Sequence, residues 1–311
     1  MSIEVIKPGL CTTLQDHGRL GFQHLGIPAN GPMDPLAHAL ANLLVGNAGD
    51  CPTLEITLQG PILRFRAGCL IALAGADLGA RLDNVPLAPD HAVRVAPGTL
   101  LSFGKRVSGA RAYLAVHGGY QLPPVLGSIS TNRRTGLGGV KGRPLVAGDL
   151  LPINSSFRNP PRLTVPHGLW PFDSEAPIRI IPGREWAAFD AQAQRDLVEQ
   201  RYRITHDSER MGYRLAGPAL KLNVPIELLS EAVTFGTLQV PPDGQPIILM
   251  ADRQTTGGYP KIAHVASVDL PRLAQMLPGE ELSFSVIDLD TAQQLALQRA
   301  RWVRALETAH C

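Results

Sequence analysis

A dense group of chemically capable side chains lies between Asp252 and Lys261. The segment reads D-R-Q-T-T-G-G-Y-P-K and combines donors, acceptors and titratable groups within ten positions. Carboxylates and amines serve proton transfer, while a Gly-Gly pair lets backbone amides approach a ligand closely. We therefore expect a ligand-binding or catalytic loop, with a solvated hairpin turn as the alternative. The candidate residues are Asp252, Arg253, Gln254, Thr255, Thr256, Gly257, Gly258, Tyr259 and Lys261.

Glu231 is expected to reach the same cleft. Residues 239–250 read as a turn between two core segments, which would place Glu231 and Asp252 on adjoining strands. We expect Lys261, Glu231 and Asp252 to be catalytic, with Lys261 or Glu231 as the acid or base. A Glu231 side chain that only binds the backbone is the competing interpretation.

A second candidate segment spans residues 128–143, where hydroxyls, arginines and glycines alternate. Arg133, Arg134, Gly138 and Gly139 offer guanidinium groups and backbone amides, which can hold a phosphate or a carboxylate. The spacing is not that of a Walker A motif, because no Lys-Ser/Thr pair ends it. A mobile basic loop without a ligand is the alternative.

The composition indicates a large β-rich protein. A length of 311 residues suggests two domains of about 150 residues each. Only 18% of residues are charged, whereas glycine (31) and proline (27) are abundant, as in β cores with short connections. A net charge of +2 does not favour nucleic acid or a membrane as a partner. Since no leader-like segment, long apolar run or C-x-x-C pair occurs, we expect a cytoplasmic protein with reduced thiols and no metal site.

The chain repeats itself, which predicts a duplicated β-domain. We expect domains at residues 1–165 and 175–290, a join in the proline-rich stretch 159–177, and a C-terminal helix at 291–311. The repeated segments are 3–9 with 178–183, 16–22 with 207–213, 55–60 with 231–236, and 97–103 with 278–284.

The repeat also serves as a filter for function. Side chains present in both copies serve the fold first, so Asp16 with Arg19, and Asp207 with Arg210, are expected to form turn-holding ion pairs. Glu55 stands at the point that matches Glu231, which favours the structural interpretation of Glu231.

Helices are predicted at three places. Asp34 followed by Pro35 is typical of a helix start, and an apolar stripe continues to Gly46. A second stripe predicts a helix near residues 184–200, and Asp290 is expected to cap the C-terminal helix.

Several of these motifs together resemble the KipA/PxpC family, also labelled allophanate hydrolase subunit 2 or biotin-dependent carboxyltransferase. The similarity extends over about residues 3–290, and its most specific block is D-R-Q-T-T-G-G-Y-P-K-I-A at 252–263. The resemblance implies two cyclophilin-like β-barrel lobes. It also implies an arginine where Ile129 stands, so that Arg133 or Arg134 would supply that charge. Further matching segments are Ser230-Glu231, Gln239-Val240-Pro241, Gly244-Gln245-Pro246 and Gly136-Leu137-Gly138-Gly139.

Three functions follow from the resemblance. The first is a subunit of ATP-dependent 5-oxoprolinase, which opens 5-oxo-L-proline to L-glutamate. It would use ATP, with Mg²⁺, shared with a second β-barrel subunit and a lactam-hydrolase subunit. The second is the carboxyltransferase component of a biotin-dependent urea carboxylase; since no A-M-K-M biotinylation site occurs, biotin would arrive on a partner. The third is a non-catalytic regulator that binds a kinase-inhibitor partner.

Overall fold

The computed structural model describes residues 1–154 and 176–308, and the fold is mainly β, as predicted. The described residues form two compact units. The first contains residues 1–19, 30–154 and 304–308, and the second contains residues 20–29 and 176–303. Most of the predicted join at 159–177 lies outside the described residues.

The first unit contains two sheets that enclose an apolar core. Their strand orders are β11-β1-β4-β9-β6-β7 and β2-β3-β10-β5-β8. The long central strands β5 and β10 are buried along most of their length, which explains their nearly continuous apolar sequences. The strands are β1 (Ser2–Lys7), β2 (Cys11–Gln15), β3 (Thr53–Thr57), β4 (Ile62–Phe65), β5 (Cys69–Asp77), β6 (Ala80–Leu82), β7 (Val85–Pro86), β8 (Ala92–Val95), β9 (Leu100–Phe103), β10 (Ser108–Val116) and β11 (Leu150–Pro152).

The second unit contains a nearly closed barrel. Its eight-stranded sheet has the order β20-β13-β14-β17-β16-β19-β12-β21. The two end strands β20 and β21 are separated only by Ser283, so one stretch of chain joins both ends of the sheet. A separate two-stranded ribbon pairs β15 with β18. The strands are β12 (Ile178–Pro182), β13 (Tyr202–Ile204), β14 (Gly212–Ala216), β15 (Glu231–Ala232), β16 (Thr237–Gln239), β17 (Ile247–Leu249), β18 (Thr256–Gly257), β19 (Lys261–Val265), β20 (Glu281–Leu282) and β21 (Phe284–Val286).

The predicted helices are present, with one different cap. Helix α1 (Pro35–Leu44) begins after Asp34, whose carboxylate accepts a hydrogen bond from the Ala37 amide. Helix α2 (Ala191–Glu199) follows a short 3₁₀ turn, α3 is Leu270–Gln275, and α4 is Leu289–Thr308. Asp288, rather than the predicted Asp290, accepts from the Thr291 amide, because the helix begins earlier than expected from the sequence. Among the described residues, no helix combines the length and apolarity needed to cross a membrane.

The two copies of the Pro-Gly turn make the same backbone hydrogen bonds. In the first unit, the Gly98 amide donates to the Phe65 carbonyl, and the Phe65 amide donates to the Thr99 carbonyl. In the second unit, the Gly279 amide donates to the Ile204 carbonyl, and the Ile204 amide donates to the Glu280 carbonyl. This correspondence supports the duplication inferred from the sequence, while superposition of the complete domains stays a prediction.

Candidate functional site

The segment from Met250 to Lys261 connects two strands of the barrel, as the sequence predicted. Met250 and Ala251 are still buried, and the Asp252 amide donates to the Arg210 carbonyl, so the chain leaves the sheet only after Asp252. The segment then forms β18, which pairs with β15 and places Gly257 opposite Glu231. The expectation that Glu231 and Asp252 lie on adjoining strands is therefore wrong, because the strand beside Glu231 is β18, which begins only after Asp252.

Asp252 is held in a bidentate ion pair with Arg210. The Asp252 Oδ2–Arg210 Nε distance is 2.8 Å and the Oδ1–Nη2 distance is 2.9 Å, and both side chains are largely buried. This ion pair fixes the start of the loop to the turn before β14. Asp252 was a predicted catalytic residue, and the geometry favours a structural role for it. The predicted partner of Arg210 was Asp207, so the observed partner comes from a different part of the sequence.

Lys261 and Glu231, the other two predicted catalytic residues, are brought together. Lys261 Nζ lies 3.5 Å from Glu231 Oε2, and Arg184 Nη1 lies 3.0 Å from Glu231 Oε1. The Lys261 side chain is only 7% exposed, whereas that of Glu231 is 45% exposed. The Lys261 backbone amide donates to Glu185 Oε2, which fixes the beginning of β19. A carboxylate open to solvent therefore faces a buried amine.

Glu55, the expected structural counterpart of Glu231, has a different environment. Glu55 is fully buried on β3 and accepts hydrogen bonds from the Tyr113 hydroxyl (2.7 Å) and the Met33 amide (2.9 Å). Glu231 has no such enclosure, since it lies on a short ribbon and is half-exposed. The comparison favours the chemical over the structural interpretation of Glu231.

A row of four side chains crosses the barrel next to this pair. Arg214 is the register partner of Ile247, Ile247 of Gln239, and Gln239 of Lys261. Directly paired residues of antiparallel strands project from the same face, so these side chains are neighbours. Gln239 is buried, and its Oε1 accepts a hydrogen bond of 3.1 Å from Gln254 Nε2. The row links the loop to the Lys261–Glu231 pair.

Gly257 and Gly258 differ in what they contact. A side chain at Gly257 would overlap the Gln239 amide, whereas one at Gly258 would meet its nearest atom, Ser230 Oγ, at 3.4 Å. A side chain at position 257 would therefore displace the terminal amide of Gln239.

A cavity of about 200 Å³ opens beside the row, and there is also a larger cavity of about 570 Å³. Tyr259, which is 46% exposed, lines both cavities. Gln239, Gln254, Arg214 and Ile247 line the smaller one. Loop residues thus line both cavities, but Glu231 and Lys261 line neither, so a cleft shared by the loop and Glu231 stays a prediction.

The remaining loop residues make contacts that hold the loop. The Arg253 guanidinium lies over the Phe235 ring and donates to the Val233 carbonyl, and burial lowers the pKa of Arg253. The Thr255 carbonyl accepts from Gln23 Nε2 at 2.7 Å and from the Val233 amide. Thr256 belongs to β18 and is exposed.

The second candidate segment, residues 128–143, lies in the first unit and is anchored there. The Asp16 carboxylate accepts from the hydroxyls of Ser128 and Ser130 and from the amides of Gly18 and Ile129. Burial opposes ionisation of Asp16, but these hydrogen bonds together lower its pKa. The Arg19 guanidinium donates to the carbonyls of Val125 and Ser130.

The glycines of this segment do not fit a phosphate cradle. Side chains at Gly138 and Gly139 would overlap Arg19, Ser130 and Thr131. The Gly139 amide already donates to the Ile129 carbonyl at 2.7 Å. Arg133 and Arg134 are exposed, and Ile129 is buried. The glycines therefore serve packing, and the binding role predicted for Arg133, Arg134, Gly138 and Gly139 stays a prediction. Within the described residues, no group of three or more His, Cys, Asp or Glu side chains is arranged to hold a metal ion.

Sequence reasoning did not single out Gln239 or Arg214 as site residues, although both line the smaller cavity. An available signal was the position of Gln239 between the apolar residues Leu238 and Val240 of a buried strand. Buried amides require partners, so a glutamine at such a position indicates a polar contact.

The carboxyltransferase domain family, described as subdomain A and B, matches residues 25–286. The chain belongs to this family. Among relatives of this carboxyltransferase-domain protein, the 5-oxoprolinase C subunit of Haemophilus influenzae is 40% identical over 293 residues, which are 94% of each chain. The corresponding C subunit of Escherichia coli is 40% identical over 305 residues, 98% of this chain and 97% of the other.

A solved structure shares the fold of this carboxyltransferase-domain chain. The crystal structure of the K. lactis urea amidolyase matches 98% of the chain with a TM-score of 0.92 and 30% identity. The chain spans only 20% of that much longer protein. The family's fold is thus confirmed by sequence and by structure.

Proposed function

We propose that this chain is the C subunit of a 5-oxoprolinase, which opens 5-oxo-L-proline to L-glutamate together with partner subunits. The observation that carries the proposal is the 40% identity to two 5-oxoprolinase C subunits along nearly the whole of both chains. The match covers 94% and 97% of the two C subunits, whereas it covers only 20% of the urea amidolyase.

Opening the lactam requires two proton transfers. ATP bound to a partner subunit would phosphorylate the ring carbonyl oxygen with release of ADP. Water then adds to the activated carbon, the C–N bond breaks so that the nitrogen leaves as the amine of glutamate, and phosphate is released. The attacking water must lose a proton and the leaving nitrogen must gain one, for which a carboxylate and an amine are suitable groups. Glu231 accepts the proton and Lys261 donates one in this proposal, because their side chains already contact each other at 3.5 Å.

We place the binding of ATP and Mg²⁺ on the partner subunits. The chain has no Walker A spacing, and the glycines of residues 136–142 are engaged in packing and backbone hydrogen bonds. This chain would contribute recognition of the lactam and proton transfer, and the partners would contribute the phosphorylating chemistry. We therefore expect no turnover by the isolated chain.

The test is reconstitution with one component omitted at a time. Glutamate release from 5-oxoproline is measured with this chain, a second β-barrel subunit and a lactam-hydrolase subunit, with and without ATP. We expect release only with all three proteins and ATP. Full turnover by the two partners without this chain would contradict the proposal, as would full turnover by this chain alone.

A carboxyltransferase role toward urea is the second candidate. The TM-score of 0.92 to the urea amidolyase supports it, and biotin would then be carried by a partner protein. Carboxylation of urea in the presence of a biotinylated carrier, with no glutamate release in the reconstitution, would favour this second function.

A further inference from the structure

Glu231 has a different cation at each of its two carboxylate oxygens. Lys261 Nζ lies 3.5 Å from Oε2, and Arg184 Nη1 lies 3.0 Å from Oε1. The proposed proton transfer uses the first contact and gives no role to the second. The side chain of Lys261 is 7% exposed and that of Arg184 is 77% exposed, so one cation belongs to the interior and the other to the surface.

The turn that carries Arg184 is attached to the backbone at the start of β19. The Gly183 amide donates to the Ile262 carbonyl at 2.8 Å, and the Lys261 amide donates to Glu185 Oε2 at 3.0 Å. A side chain at Gly183 would overlap the Lys261 carbonyl, so glycine allows the turn to pack this closely. Arg184 lies between these two anchored residues, and its backbone therefore has a fixed position relative to Lys261.

The first unit has a corresponding Pro-Gly turn without the cation. A side chain at Gly9 would also overlap backbone, at the Gln59 carbonyl, so both copies use the glycine for packing. The next residue is Leu10 in the first copy and Arg184 in the second, and Leu10 is 61% exposed. Since side chains present in both copies serve the fold first, a charge found in only one copy is better explained by function.

A role in stability explains Arg184 poorly. Ion pairs between exposed side chains contribute little to the free energy of folding, because water weakens the attraction and both side chains lose conformational freedom. The side chain of Glu231 is 45% exposed, and it lies on a strand of only two residues. A guanidinium at this place can instead restrict the rotamers of Glu231, which would otherwise turn freely into solvent.

We propose that Arg184 is a positioning residue, which holds the Glu231 carboxylate against the Lys261 amine. Proton transfer requires groups within hydrogen-bond reach, so turnover should follow the fraction of time for which Glu231 is held there. The inference deepens the proposed function and rests on it for the reaction that the two groups perform. The holding of Glu231 by Arg184 does not depend on the identity of the substrate.

A chemical crosslink measures this positioning without any turnover. A water-soluble carbodiimide activates the Glu231 carboxylate, which then forms an amide either with Lys261 or with added glycinamide. Mass spectrometry of the digested full chain gives the ratio of the two products, which reports how well the carboxylate is held against the amine. We expect Arg184→Ala to lower this ratio about two- to fivefold, which is the effect that an exposed ion pair can have.

Arg203→Ala is the matched control for the crosslink. Arg203 forms a similar exposed ion pair with Glu281, at 3.5 Å, and its loss should leave the ratio unchanged. A thermal unfolding curve verifies that each variant is folded.

Turnover of the assembled enzyme then shows whether Arg184 acts through Glu231. Arg184→Ala should lower turnover about two- to fivefold in the otherwise unchanged enzyme. The same substitution should have no further effect in Glu231→Gln, because the group that Arg184 positions is already disabled there.

An unchanged crosslink ratio in folded Arg184→Ala would overturn the inference, whatever happens to turnover, and so would an unsubstituted chain that forms no crosslink. An equal loss of turnover with and without Glu231→Gln would also overturn it, because Arg184 would then act on another group. If the ratio falls in Arg184→Ala while the reconstituted enzyme releases no glutamate, the positioning is confirmed and the proposed function is wrong.

Discussion

Gln239 and Lys261 are direct register partners on neighbouring strands, although twenty-two positions separate them in the sequence. The pairing places a buried amide beside a buried amine. It connects the small cavity, which Gln239 lines, with the ion pair of Lys261 and Glu231.

Substitution of the two neighbouring glycines should have different effects. In Gly257→Ala the new methyl group overlaps the Gln239 amide, so we expect the amide to shift and the turnover of the assembled enzyme to fall at least about tenfold. Gly258→Ala is the matched control, because its methyl group meets Ser230 Oγ at 3.4 Å. Equal activities of the two variants in a steady-state assay would argue against a role for the Gln239 amide.

Glu231→Gln should reduce turnover while the chain still folds. The change removes the charge that faces the buried Lys261 amine, so we expect the free energy of unfolding to fall by about 1–3 kcal/mol. The loss of a proton acceptor should reduce turnover by about 10²-fold or more. Glu227→Gln, an exposed neighbour, serves as the control for both measurements. A variant that fails to fold in urea titrations would instead support the structural interpretation of Glu231.

Asp252→Asn should act mainly on stability. Removing one partner of a buried ion pair leaves the other charge uncompensated, and this typically costs about 3–5 kcal/mol. The Arg210 and Asp252 side chains are 8% and 12% exposed, so we expect a loss near the lower end of this range in urea unfolding. Asp243→Asn, an exposed position, is the control. A variant of normal stability that has lost turnover would restore Asp252 as a catalytic residue.

The stability of the protein should fall as the pH decreases from about 6.5 to about 4. Burial lowers the pKa of His38 from 6.5 to about 4, so in this window the unfolded chain binds a proton that the folded chain excludes. One pKa unit corresponds to about 1.4 kcal/mol, which gives His38 a contribution of about 3 kcal/mol, present at neutral pH and lost on acidification. Burial lowers the pKa of His264 as well, and that residue acts in the same direction.

The measurement is the free energy of unfolding in urea at several pH values across this window. His38→Gln should flatten the pH dependence, whatever its effect on stability at neutral pH. Gln293→Met, which changes an exposed side chain that does not titrate, should leave the slope unchanged. An identical slope in His38→Gln would show that another group causes the acid sensitivity.

Much of the site could be predicted because it is local in sequence. The loop, its glycines and Lys261 lie within one segment, and the contact with Glu231 was expected. The row from Arg214 to Lys261 could not be predicted, because strand register is set by long-range pairing that no single segment reveals. The role of the glycines at 138 and 139 was also hidden, since their neighbours Arg19 and Thr131 come from other elements.

The turnover of an assembled enzyme that contains Lys261→Met tests the central claim most directly. Methionine keeps the length and packing of the buried side chain and removes only the amine. ATP-dependent glutamate release from 5-oxoproline is measured alongside the thermal stability of the chain and its co-purification with the partner subunits. We predict a loss of about 10²-fold or more with folding and assembly intact. Full turnover by this variant would contradict the placement of the proton-transfer site at Lys261.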